Sequence, residues 1–583
     1  MTSRFVHAMP YGAKPLGDDK VRFRLWAPDV ETVSIECDTG HRATMRALDD
    51  GWFECVCPAP FGSGYRFRVG KDVVVPDPAS RRQRESDVHG YSVVVDPSSY
   101  AWKHDTWQGR PWHEAVIYEL HVGLLGGYRG VEMVLPHLAS LGITAVELMP
   151  IAEFPGDRNW GYDGVLPYAP SASYGTPDDL KSLIDTAHGL GLMVFLDVVY
   201  NHFGPEGNYL GAYASRFFDE ATHTPWGAAI GVSTPQVGDY FVHNALYWLE
   251  EYRFDGLRFD AVHAIGNPGW LGSLAARVHA AMGPERHVHL VLENEANQAN
   301  LLGRGRFDAQ WNDDFHNAIH VLLTGEDEGY YAHYEPAMDK LLRSLREGFA
   351  YQGEVMGDRR RGEPSAHLAA SRFVNFLQNH DQIGNRAFGD RLSAMIHPET
   401  MEAALVLLLL APFVPMLFMG EEWGSRTPFL FFTDFIDERM RRAVREGRRK
   451  EFAAFASFAG EEIPDPNDYD TFTASIPERD IALGEARRTF VRSLIAVRRE
   501  YIGPHIADAH GQDAQALGAQ AFVASWSLSG RTLTIFVNLG DTDVTIERTP
   551  SSSAAWLHGD AATVAAVSRG LLPARRAVAR LES

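Results

Sequence analysis

Three acidic residues close three separate apolar runs in this chain. Asp260 ends Gly256-Leu257-Arg258-Phe259-Asp260, Glu293 ends His289-Leu290-Val291-Leu292-Glu293, and Asp381 follows the run from Val374 to His380. An ionisable group at the end of a buried strand is costly unless it has a partner or a task. Arg258 precedes Asp260 by two residues, which in a strand puts both on one face. A guanidinium there is expected to lower the Asp260 pKa and keep the carboxylate ionised and nucleophilic. Glu293 has no such cation beside it along the chain, and a carboxyl in a less polar setting keeps the proton that a general acid needs. Two carboxyls driven to opposite protonation states are what cleavage of a glycosidic bond requires, and in a retaining mechanism they lie about 5–5.5 Å apart. Asp381, beside His380, is a third partner able to grip a distorted sugar. Each part has a plainer reading: Arg258–Asp260 as a structural ion pair, His202 as a hydrogen-bonded rim histidine, and the aromatic segment Asn159 to Gly164 as a packed loop. Glu295 rivals Glu293, since both can share a face.

Strands that end in such groups need a scaffold that brings their C-terminal ends together. From about residue 110 to 490 the pattern alternates strand and helix. Eight strand candidates stand out: Ala115–His121, Ile143–Met149, Met193–Tyr200, Gly256–Asp260, His289–Glu293, Phe307–Trp311, Arg372–Leu377 and Pro415–Met419. Helical spacing from Val131 to Leu141 stops at Gly142, and Thr176-Pro177-Asp178-Asp179 reads as a capped helix start. Eight β–α units predict a closed (β/α)8 TIM barrel, with catalytic groups on its C-terminal rim. An open doubly wound sheet is disfavoured, because no glycine-rich phosphate turn follows the first strand. Residues 1–105 show short alternating strands and predict a β-sandwich of immunoglobulin-like type. Residues 106–490 form the catalytic barrel with loop insertions, and residues 491–583 return to a β pattern, an antiparallel C-terminal domain.

The composition narrows the choices. A chain of 583 residues with 45% hydrophobic and 22% charged residues is that of a multidomain globular protein. A formal charge of −22 disfavours nucleic acid, whose phosphates it repels. The longest apolar stretch, Ala403 to Met419, is broken by Pro412 and Pro415 and fits a core helix followed by a strand, so no membrane partner is expected. Three cysteines do not make a disulfide framework, and Cys55 and Cys57 share a strand face as packed thiols. With no apolar core near the N-terminus, a cytoplasmic location is expected. The acids are dispersed, without Asp-x-Asp-x-Asp-Gly or His-x-x-x-His spacing, so no metal site and no cofactor are expected.

The strand-end motifs resemble those of the α-amylase superfamily, glycoside hydrolase family 13. Asp197-Val-Val-Tyr-Asn-His202, Gly256-Leu-Arg-Phe-Asp260, Glu293 and Asn379-His-Asp381 are similar to its four signatures, in order. The resemblance implies Asp260 as nucleophile, Glu293 as acid/base and Asp381 as transition-state stabiliser. It also implies Tyr162, His202, Arg258 and His380 around the cleaved sugar, Tyr162 stacking on it, and His263 on the leaving-group side. Phe23-Arg-Leu-Trp-Ala-Pro28 resembles an N-terminal module of carbohydrate-binding type shared with branching enzymes. Arg158 to Gly164, Phe432-Thr-Asp434 and Ala443 to Phe452 resemble the trehalose-releasing branch of the superfamily. That branch implies a malto-oligosyltrehalose substrate, supplied by a malto-oligosyltrehalose synthase. Glucan branching, plain amylase action and catalytically silent glucan binding are the alternatives. The chain departs from that pattern in a short segment from Leu124 to Tyr128, at Phe435, at Gly266 and Asn267, and from Gly231 to Gln236.

Overall fold

In the computed structural model, which describes residues 5–224, 227–453, 463–478, 481–546 and 554–582, eight parallel strands close on themselves. They are β1 (Ile117–Leu120), β2 (Ala145–Leu148), β3 (Met193–Val198), β4 (Gly256–Phe259), β5 (His289–Leu292), β6 (Ala309–Trp311), β7 (Phe373–Phe376) and β8 (Val414–Phe418). Ile117 pairs with Ala145 on one side and Met416 on the other, which seals the ring. All eight strands fall where the apolar runs predict, and the fold is the expected (β/α)8 barrel between two β regions.

Alternation along each strand sends every second side chain inward. At the N-terminal end these are apolar: Ile117, Ala145, Met193, Phe195, Val291, Ala309, Val374 and Val414 fill the barrel floor. At the C-terminal end the same faces carry Glu119, Glu147, Asp197, Arg258, Asp260 and Glu293. Gly256 makes room for this packing, since a Cβ there would meet Phe195 at 2.6 Å and the His289 carbonyl at 2.8 Å. One periodicity therefore builds an apolar plug and places a charged rim above it.

The connecting helices follow local rules. Thr176 and Asp179 form a capping box, each side chain accepting from the other's main-chain N–H, at the start of Pro177–Gly189. Gly142 ends Gly127–Leu141 in the left-handed region at φ 97°. The stretch from Ala403 to Met419 is the buried end of helix Pro398–Leu410 followed by β8.

Two antiparallel sheets form the N-terminal sandwich. One runs through Gly12–Gly17, Lys20–Trp26, Trp52–Pro58 and Arg46–Ala47; the other through Arg42–Thr44, Val33–Cys37, Gly64–Val69 and Val73–Val75. Phe23, Leu25, Ile35 and Phe67 are buried in its core. A buried Arg81–Glu251 ion pair of 3.2 Å ties the segment after the sandwich to the barrel. The C-terminal sheet is ordered His510–Ala516, Ala521–Leu528, Arg531–Asn538, Arg576–Glu582, Ala555–His558. It docks through Trp526, whose indole N–H donates to the Leu345 carbonyl at 2.9 Å. Helix Ile481–Val497 runs across the expected 490/491 boundary and packs on Pro398–Leu410. Among the described residues no helix is long and apolar enough to cross a membrane.

Candidate active site

Arg258 organises the rim. Its side chain is buried against the Trp311 ring, 4.1 Å from the centroid. Nη1 donates to Asp197 at 2.5 Å and Asp260 at 2.9 Å, and Nη2 donates to Glu293 at 2.6 Å. One guanidinium thus holds carboxylates from β3, the end of β4 and the end of β5. This corrects the expectation that Glu293 lacks an adjacent cation. The β4–β5 register sets Val291 beside Arg258, so Glu293, two residues further, comes within reach of the fork. Such a lateral neighbour is invisible along the chain.

The expected depression of the Asp260 pKa is corrected as well. Burial pushes Asp260 above the usual carboxylate range; Arg258 opposes this, and the like charge of Asp197 adds to it. Burial raises Glu293 too, against Arg258 and with the charge of Asp260. Asp381 is raised by burial, opposed by His380 and reinforced by Glu293. Arg258 is shared among three acids, so no one of them has a cation to itself.

Local backbone geometry locks the pair. Asn201 donates from Nδ2 to Oδ2 of Asp260 at 2.6 Å and to its carbonyl at 2.8 Å. Directly after Asp260, Ala261 sits at φ 38°, a left-handed conformation that costs a non-glycine residue about 1–3 kcal/mol. That turn aims the Ala261 N–H at Oε2 of Glu293, 3.0 Å away. The strain is located where it orients the acid.

The segment Asn159 to Gly164 is packed and also presents a side chain to the site. Asn159 Oδ1 accepts from the Gly161 N–H at 2.7 Å. Gly161 lies at φ 109° so close to Pro150 that a Cβ would be 2.1 Å from its carbonyl oxygen. The fold of this loop brings Tyr162 over the rim. Its hydroxyl donates to Asp197 at 2.6 Å, and its ring stacks on His380 with centroids 5.1 Å apart. His202 donates from Nε2 to the Tyr162 carbonyl at 2.9 Å. Asp381 lies in the short helix His380–Gly384, where Asn385 donates to its Oδ1 at 2.6 Å.

His263 stands apart with Glu295: the two lie 3.6 Å from each other, and Glu295 also bonds Arg359. Burial is the largest single influence and raises the Glu295 pKa, but the hydrogen bond and charge of Arg359, with the charges of His263 and Arg361, together outweigh it and the net shift is downward. Glu295 is therefore engaged away from the Arg258 cluster, whereas Glu293 is part of it. Asn267, one of the atypical positions, accepts from the Trp270 N–H at 3.0 Å and caps the next helix. Four further groups belong to the site: Asp197, Glu119, Asn385 and Asp313. Burial and the charge of Glu293 push Asp313 to about 8. Inward strand parity marks Asp197 and Glu119; Asp313 opens a helix and Asn385 caps the end of another, both placed by tertiary structure, and no periodicity points to them. Among the described residues, no three His, Cys, Asp or Glu side chains converge as a metal site would need.

The profile of the alpha amylase catalytic domain matches residues 84–244, and carbohydrate-binding module 48, the isoamylase N-terminal domain, matches residues 10–80. A domain of unknown function, DUF3459, matches residues 509–579. The malto-oligosyltrehalose trehalohydrolase of Deinococcus radiodurans is 42% identical over 84% of this chain and 83% of that protein. That of Saccharolobus solfataricus is 39% identical over 85% of this chain and 87% of that protein. The crystal structure of a Salmonella typhimurium protein assigned as an alpha amylase superposes with a TM-score of 0.92 at 42% identity, covering 99% of this chain and 100% of that one. Barrel, module and carboxylate rim together define a glycoside hydrolase of the α-amylase class. Within that class the chain belongs to the malto-oligosyltrehalose trehalohydrolase family.

Proposed function

We propose that the protein is a retaining α-glycoside hydrolase that cuts the α-1,4 bond next to the terminal trehalose unit of malto-oligosyltrehalose. The products are free trehalose and a shortened maltodextrin. Asp260 attacks the anomeric carbon while Glu293 protonates the leaving oxygen. Glu293, now a base, then activates water against the glycosyl-enzyme ester. Asp381 grips the distorted sugar as positive charge develops, with Tyr162, His202 and His380 around the same ring. His263 and its partner Glu295 lie on the leaving-group side.

The observation that carries this reading is the shared guanidinium. Arg258 reaches Asp260 with one nitrogen and Glu293 with the other, at 2.9 and 2.6 Å. That clamp holds the two carboxyls on adjacent nitrogens of one guanidinium, which favours the short separation of a retaining pair over the wider one of an inverting pair. The raised Glu293 pKa lets it hold the proton it must give. The substrate assignment follows the family's named activity. A malto-oligosyltrehalose synthase is then the source of the substrate. Free thiols at Cys37, Cys55 and Cys57 accord with a reducing, cytoplasmic setting.

Chromatography of products from maltotriosyl trehalose, beside maltopentaose and amylose, tests the reading. Trehalose plus maltotriose, with little product from the plain glucans, is the expected result. Cleavage or transfer of maltopentaose without trehalose release overturns the substrate and leaves the carboxylate mechanism as an amylase or branching enzyme.

A further inference from the structure

Glu119 has no role in the mechanism above, yet it is built into the rim. It ends the inward face of β1, is 1% exposed, and spends both oxygens on one residue. Oε1 accepts from Nδ1 of His380 at 2.5 Å, and Oε2 accepts from the His380 main-chain N–H at 3.1 Å. On the far side of the imidazole, Nε2 lies 2.8 Å from the Tyr162 hydroxyl. That hydroxyl has one proton, and it goes to Asp197 at 2.6 Å. Nε2 must then be a donor. Nδ1, facing a carboxylate, is a donor as well, so the ring carries both protons and a positive charge.

We propose that Glu119 is a positioning residue for the glycosidic reaction, holding His380 as an imidazolium so that Arg258 is not the only cation among the rim carboxylates. The inference rests on the hydrolase reading given above. Five groups and one neutral ring face His380: Glu119 from β1, Tyr162 from its loop, Asp197 from β3, Arg258 from β4, Asp381 from its own helix, and His121. Burial alone would lower the His380 pKa; the charge and hydrogen bond of Glu119 reverse this, Asp381 assists, Arg258 opposes, and the net shift is upward. Burial takes His121 down to about 4, so it adds no charge near neutrality. His380 is in turn the largest influence keeping Asp381 ionised against burial. An acid that supports a cation that supports the stabilising acid acts on the transition state more than on substrate binding.

Glu119→Gln keeps the shape and removes the charge. His380 then loses its proton at lower pH, and in this variant that loss, ahead of the Glu293 proton that sets the basic limb in the wild type, should move the basic limb of kcat/KM to lower pH. We expect kcat to fall about tenfold or more, with KM within about twofold, and Glu119→Asp to restore part of it. In a His380→Gln background the same change should cost little, because the route through His380 is already gone. Equal losses in both backgrounds, or an unshifted profile, would overturn the proposal. A second measurement needs no substrate. Histidine-selective NMR, with the His380 resonance assigned by its absence in His380→Gln, should show that ring titrating at lower pH in Glu119→Gln than in the wild type. An unchanged titration overturns the proposal whatever the enzyme cleaves, whereas absent trehalose release by the wild type overturns only the substrate reading.

Discussion

Strand β4 carries a buried aspartate at each end, and the two are treated in opposite ways. Asp255, just before the strand, is fully buried. Its carboxylate accepts from Nε1 of Trp107 at 2.8 Å, Nε2 of His188 at 2.9 Å and the Val194 N–H at 2.9 Å. Burial pushes its pKa up, but His188, Arg286 and these donors outweigh it and the net shift is downward. Asp260, just after the strand, has two side-chain donors, one of them shared with Asp197 and Glu293, and its net shift is upward. Burial is common to both. The difference is that donors surround Asp255 and other carboxylates surround Asp260. A satisfied carboxylate stabilises a fold; one crowded by like charges is poised for chemistry at a cost in stability.

Exchanging the two is the sharpest way to break this comparison. Asp260→Asn should lower kcat by at least about 10⁴-fold, since it removes the nucleophile. It should also raise the melting temperature at neutral pH. The sign follows from the raised folded-state pKa: that group's contribution is present below the unfolded pKa and lost as pH rises through the folded one, so a neutral isostere avoids the loss. A small loss of activity removes Asp260 as nucleophile. Glu293→Gln should lower kcat about 10³-fold, the general acid being absent, while Glu295→Gln changes it only a few-fold. If Glu295→Gln proves the more damaging, the acid is misassigned.

Asp255→Ala should do the reverse of Asp260→Asn. Stripping one partner from a buried ionic cluster costs on the order of 3 kcal/mol of stability by denaturant unfolding, with kcat of the folded fraction nearly unchanged. Because the Asp255 pKa is depressed, its contribution is present above the unfolded pKa and lost as pH falls through the folded one. A kcat defect at full stability would dissolve the contrast between the two ends. The mildest expected effect lies in the pH profile. Asp260 and Glu293 are both raised, so both limbs of the kcat/KM bell should stand above the ordinary carboxylate range of about 4. A profile flat through neutral and mildly basic pH counts against Glu293 as the proton donor.

Much of this molecule was legible along the chain. The eight apolar runs became the eight barrel strands, Thr176 and Gly142 delimit helices as their types require, and Asp260, Glu293, Asp381, Tyr162, His202, Arg258 and His380 meet at one rim. The errors were electrostatic. Arg258 looked like the private partner of Asp260 because the two are neighbours in sequence; in the fold it is equally the partner of Glu293 and Asp197. Strand parity puts Glu119 on the inward face, but what makes it and Asp313 notable is what lies across from them in space. The pairing of His263 with Glu295 is likewise a contact across the fold that chain order does not show.

The division has a physical basis. Periodicity, caps and strand-end acids are properties of single segments, governed by backbone geometry over a few residues, and the amino-acid sequence alone determined them: a barrel, its strand boundaries, and a set of acids at one end of it. Charge states depend on burial and on groups a few ångströms away in space, since Coulomb interactions and desolvation act through distance and dielectric and not through chain separation. Only the tertiary structure decided that one guanidinium would hold three carboxylates, that Asp255 would be quieted while Asp260 is not, and that a glutamate on the first strand would hold a histidine in the short helix after the seventh.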